Sequence, residues 1–222
     1  MEIINLTSHH VNLQQAPKSF AIKLNYLKEI WIFNCNEGCQ HYLIEKQIKI
    51  NQISKIILTE LTINHISGLL GLLSSLSLIN RKKPLHIYSP CKLDNYLHLG
   101  KKYSHTNFCY RLYFHILHTN LTINHSNYQL YVFSKYWQFD FIIITTEQYG
   151  QFKLNIAKKF HLKEGPLYGK LKKGFSFILP DGFILEGINF TNKNHAGYKI
   201  SYISNKYHSR KFTEIGVKAQ VL

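Results

Sequence analysis

The side chains best suited to bind a metal ion lie in residues 59–65, which read T-E-L-T-I-N-H. Glu60 and His65 offer a carboxylate and an imidazole, but Thr62 and Asn64 offer only neutral oxygens. A zinc site needs about four ligands per ion, including carboxylates or neutral imidazoles. The asparagine amide does not titrate in a useful range, so Asn64 cannot serve as a general base. One interpretation is that Glu60 and His65 are metal ligands, which would be too few for a catalytic zinc site but enough to hold one weakly bound cation.

A second interpretation of His65, which we favour, is a structural histidine that is hydrogen-bonded at the start of a helix. The segment follows an apolar run at residues 53–58, which is typical of a buried strand. It precedes residues 67–78, an apolar stretch that predicts a helix, and the R-K-K-P sequence at 81–84 would end that helix. The segment is thus predicted to be a loop between a strand and a helix.

The remaining pattern alternates short strands with short helices. Strands are predicted at residues 21–24, 30–33, 86–88, 175–179 and 199–203 and within 108–144, and helices at 40–44, 92–99 and 154–160. This order predicts an α/β (α+β) fold in which helices pack on twisted sheets. A chain of 222 residues suits a single domain covering residues 1–222.

Four sequence blocks, in order along the chain, resemble the ribonuclease Z family of tRNA 3′-processing endoribonucleases. They are I-F-N-C-N-E-G-C-Q at residues 32–40, P-L-H-I-Y-S-P at 84–90, G-P-L-Y-G-K-L-K-K-G at 165–174 and L-P-D-G at 179–182. The family patterns are L-I-D-C-G-E-G-T-Q, P-L-x-I-Y-G-P and G-P-L-x-G-x-L-K-x-G, followed by the same L-P-D-G. The resemblance implies the metallo-β-lactamase αββα sandwich.

The resemblance also implies that the metal site has decayed. The family carries T-H-x-H-x-D-H where this chain has residues 59–65, so histidines are replaced at Glu60 and Thr62 and an aspartate at Asn64. A further family histidine has no counterpart in residues 132–138, and an aspartate is missing at 204–206. Because the family's sequence continues past the point that matches Leu222, the second half of the sandwich is predicted to be truncated. We expect no cofactor, and zinc only if the site has been rebuilt.

The composition favours a partner that carries phosphates. The chain has 27 Lys and Arg residues against 12 Asp and Glu, a formal net charge of +15, and its 45% hydrophobic content excludes a disordered chain. Aspartate occurs only at Asp94, Asp140 and Asp181, which is unusual for an enzyme that binds metals through carboxylates. Basic side chains that neutralise phosphates gain from the release of counterions. The alternative is codon bias, because A+T-rich codons also enrich lysine.

One basic cluster is the strongest candidate for an RNA contact. The resemblance places the family's tRNA-gripping arm at residues 149–174, here reduced in length. Tyr149, Phe152 and Tyr168 lie between the lysines and could stack on exposed bases, or they could point into the core. The predicted RNA-binding lysines are Lys158, Lys159, Lys163, Lys170, Lys172 and Lys173.

These observations leave three hypotheses about function. The first, which we adopt, is a pseudoenzyme that binds tRNA, precursor tRNA or an active homologue without cutting RNA. The second is an active zinc-dependent tRNA 3′ endonuclease with a site rebuilt from Glu60, His65 and His195 or completed by a partner chain. The third is a decaying reading frame without function.

The sequence also predicts partners and a location. We expect a homodimer, or a heterodimer with an active homologue, because dimerisation would cover an exposed sheet edge. No membrane association is expected, since the longest apolar stretch, residues 66–79, is too short to span a bilayer. The residue bias, the lack of a visible presequence and the resemblance together predict an organelle-encoded protein of the plastid (chloroplast stroma).

Overall fold

Two β-sheets and their helices form most of what the structure, a computed structural model, describes: residues 1–6, 19–135, 138–203, 217 and 219–221. The strands are β1 (Glu2–Asn5), β2 (Phe20–Leu24), β3 (Glu29–Phe33), β4 (Ile53–Ile57), β5 (Leu85–Ser89), β6 (Leu112–Ile116), β7 (Asn120–His125), β8 (Tyr128–Lys135), β9 (Gln138–Thr145), β10 (Phe177–Ile178), β11 (Ile184–Leu185), β12 (Lys199–Tyr202) and β13 (Gln220–Val221). The helices are α1 (Cys39–Glu45), α2 (Ile63–Ile66), α3 (Leu69–Leu78), α4 (Leu93–Ser104), α5 (Leu154–Lys159) and α6 (Pro166–Lys172), with 3-10 turns at Ile50–Gln52 and Gly187–Phe190.

The first sheet has the order β1-β2-β3-β4-β5-β6 and is buried on both faces at its centre. β1, β2 and β3 pair antiparallel, and β3 to β6 pair parallel. Ile30 and Ile32 of β3 face one core while Trp31 and Phe33 face the other. A continuous apolar strand of this kind is what a parallel sheet covered on both sides requires.

The helices α1, α3 and α4 cover the outer face of the first sheet. Their buried side chains, among them Leu43, Leu72 and Leu97, pack with the isoleucines of β3 and β4 into a first core. Gly68, which caps α3, donates its backbone N–H to the carbonyl of Cys35 at 2.9 Å. A side chain at this position would overlap the carbonyl oxygen of Asn36, so only glycine lets the helix start so close to the turn.

The second sheet has the order β13-β12-β9-β8-β7 and packs on the inner face of the first. Aromatic side chains form much of the core between the sheets. Phe33 lies edge-on to Phe141 at a centroid distance of 5.6 Å, and Trp31 lies edge-on to Tyr128 at 4.7 Å. These edge-on contacts between aromatic rings hold the two sheets together.

A third, small core lies in the segment that contains the predicted arm. Ala157 of α5, Leu171 of α6, Leu185 of β11 and Phe190 are buried against one another. β10 and β11 form a hairpin in which Asp181 accepts a hydrogen bond from the backbone N–H of Phe183. The core thus extends beyond residue 174 to include the hairpin and the following turn.

Most predicted elements are present. The β2–β3 hairpin, the strands β4, β5 and β12 and the helices α1, α3 and α5 lie where the pattern predicts them. α4 runs on to Ser104, since Lys101 and Lys102 suit the negative end of a helix dipole. The predicted strand at 175–179 is shorter, because only Phe177 and Ile178 pair with β11. Helix α6 was not predicted.

Some predicted features lie outside the described residues, namely residues 204–206 and, within 132–138, Tyr136 and Trp137. The second sheet, predicted to be truncated, has five strands within the described ranges. None of the helices described here is long and apolar enough to cross a membrane.

Candidate functional site

The segment 59–65 leaves the carboxyl end of β4, in the middle of the parallel part of the first sheet. The chain around it is held by backbone bonds to both neighbouring strands: Asn34 donates to Ile57, and Leu58 donates to Tyr88, at 2.9 and 2.8 Å. Ligands of α/β proteins commonly bind beyond the carboxyl ends of parallel strands. The candidate site therefore lies where such sheets place their functional groups.

A neutral hydrogen-bonded cluster anchors the start of the segment. The side-chain oxygen of buried Asn34 accepts bonds from the Thr59 backbone N–H at 3.0 Å and from its hydroxyl at 3.1 Å. Tyr202, at the end of β12, also bonds to this pair. Burial raises the pKa of Tyr202 to about 12, so its hydroxyl stays protonated and the cluster stays neutral.

The charged part of the segment forms a closed network. His65 Nδ1 lies 2.9 Å from Glu60 Oε1 and 2.6 Å from the hydroxyl of Thr62. Gln138, at the start of β9, donates its amide to the other carboxylate oxygen of Glu60 at 3.2 Å. Glu60 is thus held from two sides, by α2 of the first half of the chain and by the second sheet.

Burial sets the charge state of His65. The ring lies in the single turn α2 and is 8% exposed. Burial lowers the pKa of His65, while the nearby Glu60 carboxylate acts in the opposite direction and only partly offsets the effect. The imidazole is therefore neutral at pH 7, and it is hydrogen-bonded within the short helix α2.

The donor set limits the chemistry of this site. Thr62 and Asn64 are exposed and carry no charge, and the two groups able to bind a metal, Glu60 and His65, contact each other. Within the described residues, no group of three or more His, Cys, Asp and Glu side chains is arranged to hold a metal ion. His65 Nδ1 is engaged by two oxygens at once, which leaves that nitrogen no free coordination direction.

His195, proposed as a replacement ligand, lies at the other end of the second sheet. It precedes β12 and exchanges backbone hydrogen bonds with Gln148 at 2.9 Å. Tyr202, by contrast, ends β12 beside Asn34 and Thr59. The predicted set of Glu60, His65 and His195 is therefore wrong for a site built within the described chain, because the length of β12 separates its members.

The predicted RNA-binding lysines are all exposed and border the third core. Lys158 and Lys159 lie in the last turn of α5, and Lys170 and Lys172 in the last turn of α6. Lys163 and Lys173 follow these helices and are also exposed. Positive charge at the carboxyl end of a helix is favourable in itself, so this placement serves the fold as well as any ligand.

The three aromatic residues predicted to stack on bases differ in their exposure to solvent. Phe152 and Tyr168 contact each other at a centroid distance of 4.8 Å and pack against the third core. The Tyr168 hydroxyl donates to the backbone carbonyl of Leu162 at 2.7 Å. These two rings therefore pack inward, while Tyr149, at 52% exposure, faces solvent.

Sequence reasoning missed Asn34, Gln138 and Tyr202 as members of the site. Asn34 lies in the block at 32–40 and adopts a left-handed backbone conformation with a φ of 57°. Asparagine is enriched in this conformation, so an asparagine at the end of a strand is the sequence signal for a turn here. Gln138 and Tyr202 carry no such signal, because they reach the motif only through packing of the second sheet.

Curated relatives match this chain over most of its length. The protein ycf56 of Pyropia yezoensis is 38% identical over 89% of this chain and 76% of its own length. Ribonuclease Z of Crocosphaera subtropica is 32% identical over 84% of this chain, and ribonuclease Z of Acaryochloris marina is 31% identical over 92%. The chain belongs to the ribonuclease Z family. It spans 61% and 66% of the length of those two enzymes, and no protein-family model matches it.

Solved structures agree on the fold. Human tRNase Z, short form, superposes with a TM-score of 0.56 at 23% identity, covering 65% of each chain. The long-form RNase Z from yeast gives a TM-score of 0.50 at 22% identity, covering 59% of this chain and 17% of the yeast chain. The two sheets and their helices thus form a metallo-β-lactamase fold.

The residues at the ribonuclease Z metal motif do not fit a zinc pair. Glu60 and His65 supply one carboxylate and one imidazole, and their neighbours Thr62, Asn64 and Gln138 are neutral. Two zinc ions would need several more negative or imidazole donors. Instead, His65 Nδ1 contacts Glu60 and Thr62.

Proposed function

We propose that this ribonuclease Z family member binds tRNA or precursor tRNA without cleaving it, as a pseudoenzyme of tRNA 3′-end maturation. Its ribonuclease Z relatives support the substrate class. The altered motif supports the loss of cleavage. The observation that carries the proposal is the contact of 2.9 Å between His65 Nδ1 and Glu60 Oε1.

That contact matters because hydrolysis of a phosphodiester by a two-metal site depends on open coordination positions. The metal ions lower the pKa of a bound water and stabilise the charge that develops on the phosphate. Here Glu60 Oε1 and His65 Nδ1 contact each other at 2.9 Å, and Gln138 and Thr62 complete their hydrogen bonding. No group in this network can replace the missing charge, and a neutral, buried His65 is a weak electrostatic substitute for a metal.

RNA binding is proposed for the basic surface at the third core. Six exposed lysines, with Glu164, Asp181 and Glu186 as nearby acids, give this surface a net positive charge. Binding would depend mainly on phosphate contacts, which position an RNA without reading its bases. Exposed Tyr149 could add a stacked base.

The decisive experiment measures metal content and cleavage on one sample of the purified protein. We expect plasma mass spectrometry to find less than one zinc per chain, and precursor tRNA to stay intact with or without added zinc. We also expect the same sample to bind precursor tRNA at low salt. About two zinc ions per chain together with cleavage would overturn the proposal, since ribonuclease Z chemistry would then be intact.

The control is a matched variant that removes the network without touching the lysines. Glu60→Gln with His65→Gln abolishes both residual donors, so RNA binding should be unchanged. If this variant lost a cleavage activity that the unchanged protein had, Glu60 and His65 would be catalytic residues of an active enzyme.

Association with a partner and a plastid location complete the proposal. A homodimer would be seen as a doubled mass in light scattering. A heterodimer with an active ribonuclease Z would be seen, after the two proteins are mixed, as a mass equal to the sum of the two chains. The relatives named ycf56 in the red algae Pyropia yezoensis and Porphyra purpurea support a plastid-encoded gene, and the stroma is then the expected site of action. Fractionation of plastids tests that expectation.

A further inference from the structure

A groove runs along the free edge of the first sheet, and its lining includes no residue of the motif or the arm. Two hollows of about 480 and 570 Å³ share Phe108 and Tyr110 in their lining. One lies between α4 and β6, and the other lies at the start of β6. No residue of the third core lines either hollow. We call this the β6 groove and define it by Lys82, Lys101, Phe108, Arg111, Tyr113 and Phe114.

The groove presents aromatic faces on both sides of an edge strand. Tyr113 and Phe114 are neighbours in β6, so their side chains point to opposite faces, and each is 42% exposed. Tyr113 is backed by His86, with ring centroids 5.1 Å apart and planes 18° apart. In the described part of the chain β6 pairs with β5 alone, so the other side of its backbone faces the groove.

The rim of the groove is basic and partly rigid. Buried Arg81 donates to the backbone carbonyls of Lys83 and Pro84 at 2.8 and 2.9 Å, which holds the loop that carries exposed Lys82. Lys101 Nζ lies 5.3 Å from the Phe108 ring centroid. Asp94 is the single acidic side chain among the described residues that line the two hollows.

We propose that the β6 groove binds a single-stranded stretch of RNA, with bases stacked on Tyr113 and Phe114 and phosphates on Lys82, Lys101 and Arg111. Proteins that bind single strands combine a positive groove with aromatic platforms in this way. The inference rests on the proposed function, because it assumes that the partner is RNA, and it adds a second RNA site separate from the arm.

Charge decides between RNA and a second copy of the chain as the occupant. The chain carries a formal net charge of +15. Two copies docked through this groove would bring Lys82, Lys101 and Arg111 of each chain close together, and like charges across an interface oppose binding. A polyanion gains from the same three side chains by displacing their counterions.

Two labelled probes separate this groove from the arm. The first is a fluorescent oligouridylate of about twelve nucleotides, within the range of known single-strand site sizes. The second is folded tRNA. Anisotropy titrations with the full chain should show that Tyr113→Leu or Phe114→Leu weakens oligouridylate binding about ten-fold, as expected when one stacking platform is removed. The same variants should bind folded tRNA nearly as well as the unchanged protein.

Charge variants provide a second, independent measurement that does not alter packing. Lys82→Gln with Arg111→Gln should reduce the salt slope of oligouridylate binding by about 0.7 for each phosphate that the variant no longer neutralises. The matched controls are Tyr26→Leu, at a residue that is 67% exposed in the β2–β3 turn, and Lys28→Gln with Lys46→Gln. These controls should leave the affinity for oligouridylate within about two-fold of its original value.

Each other outcome overturns the inference in a distinguishable way. If groove and control variants bind oligouridylate alike while tRNA still binds, the groove is not an RNA site and the proposed function stands. If the unchanged protein binds neither probe at low salt, both proposals fail. If Phe114→Leu changes the mass in light scattering but not the affinity for oligouridylate, the groove is an interface between copies of this chain.

Discussion

Glu60 and His65 show how a carboxylate and an imidazole are accommodated in a partly buried site. Both need hydrogen-bond partners, because an unpaired buried polar group is costly. Here they bind each other, and Thr62 and Gln138 complete the network. These four side chains therefore form a hydrogen-bonded structural unit, which links the loop at residues 59–65 to the second sheet.

The neutral state of His65 predicts how stability depends on pH. Burial lowers the pKa of His65 from its ordinary value of 6.5, so the unfolded chain takes up a proton before the folded chain does. The stabilisation is complete above pH 6.5 and is lost as the pH falls below it. The pKa values of His86 and His115 are also lowered by burial, so they act in the same direction. We expect the free energy of unfolding in urea to decrease from about pH 7.5 to about pH 5.

The variant His65→Gln isolates the contribution of one histidine. It removes one group that titrates differently in the two states, so its unfolding free energy should fall less steeply with decreasing pH. His41→Gln, at an exposed histidine of α1, is the control and should keep the original slope. Equal slopes for the two variants would mean that His65 does not lie in the buried network.

At the scale of elements, the approach of α3 to the turn before α1 fixes the loop that carries the motif. Gly68 brings the first turn of α3 against the backbone of Cys35 and Asn36. The same turn contains Asn34, whose side chain holds Thr59. The contact at Gly68 therefore helps to position both Thr59, at the start of the loop, and helix α3, which follows the loop. This gives Gly68 a structural role that is independent of catalysis.

Gly68→Ala tests this contact. Because the added methyl group would overlap the Asn36 carbonyl, the backbone must shift, and we expect a loss of roughly 1–3 kcal/mol of unfolding free energy, as for other overpacked sites. Gly169→Ala in α6 is the matched control, since no atom lies within 4 Å of its added methyl group. That variant should be neutral or more stable by up to about 1 kcal/mol, because alanine favours helix. Similar losses in both variants would contradict the proposed close approach.

Local patterns account for most of the elements but not for the completion of the site. Apolar runs and turn residues predicted β4, the β2–β3 hairpin and α3, since their periodicity depends on neighbours in sequence. The contacts of Gln138 with Glu60 and of Tyr202 with Thr59 join residues that are 78 and 143 positions apart. Such pairs depend on how the sheets pack, which a single sequence does not encode locally.

The arm region shows the same limit. The block at residues 165–174 matched a family motif, but its sequence did not predict which secondary structure it forms. In the structure Pro166 is the first residue of helix α6, a position that proline favours. Phe152 and Tyr168 could equally have faced bases or a core, because aromatic side chains suit both. Only the presence of the third core decides that they pack inward.

At the scale of the whole molecule, the charge of +15 has two competing explanations. Codon bias would scatter lysines over the surface without regard to any ligand. A tRNA-binding function would instead make the lysines at α5 and α6 more important than lysines elsewhere. The two explanations agree on the composition and differ on position, so a comparison of matched lysine sets can separate them.

Salt dependence of tRNA binding provides that comparison. Lys158→Gln, Lys159→Gln and Lys163→Gln together should weaken binding of folded tRNA and reduce the slope of log K against log salt by about one for each phosphate that is no longer neutralised. The control removes three other exposed lysines, through Lys28→Gln, Lys46→Gln and Lys49→Gln. It lowers the net charge equally, so any general effect of charge on RNA binding should appear in both proteins. A smaller slope in the arm variant alone would locate the tRNA contact on α5 and the loop after it. Equal changes in the two variants would favour codon bias, since the protein would then attract RNA only through its total charge.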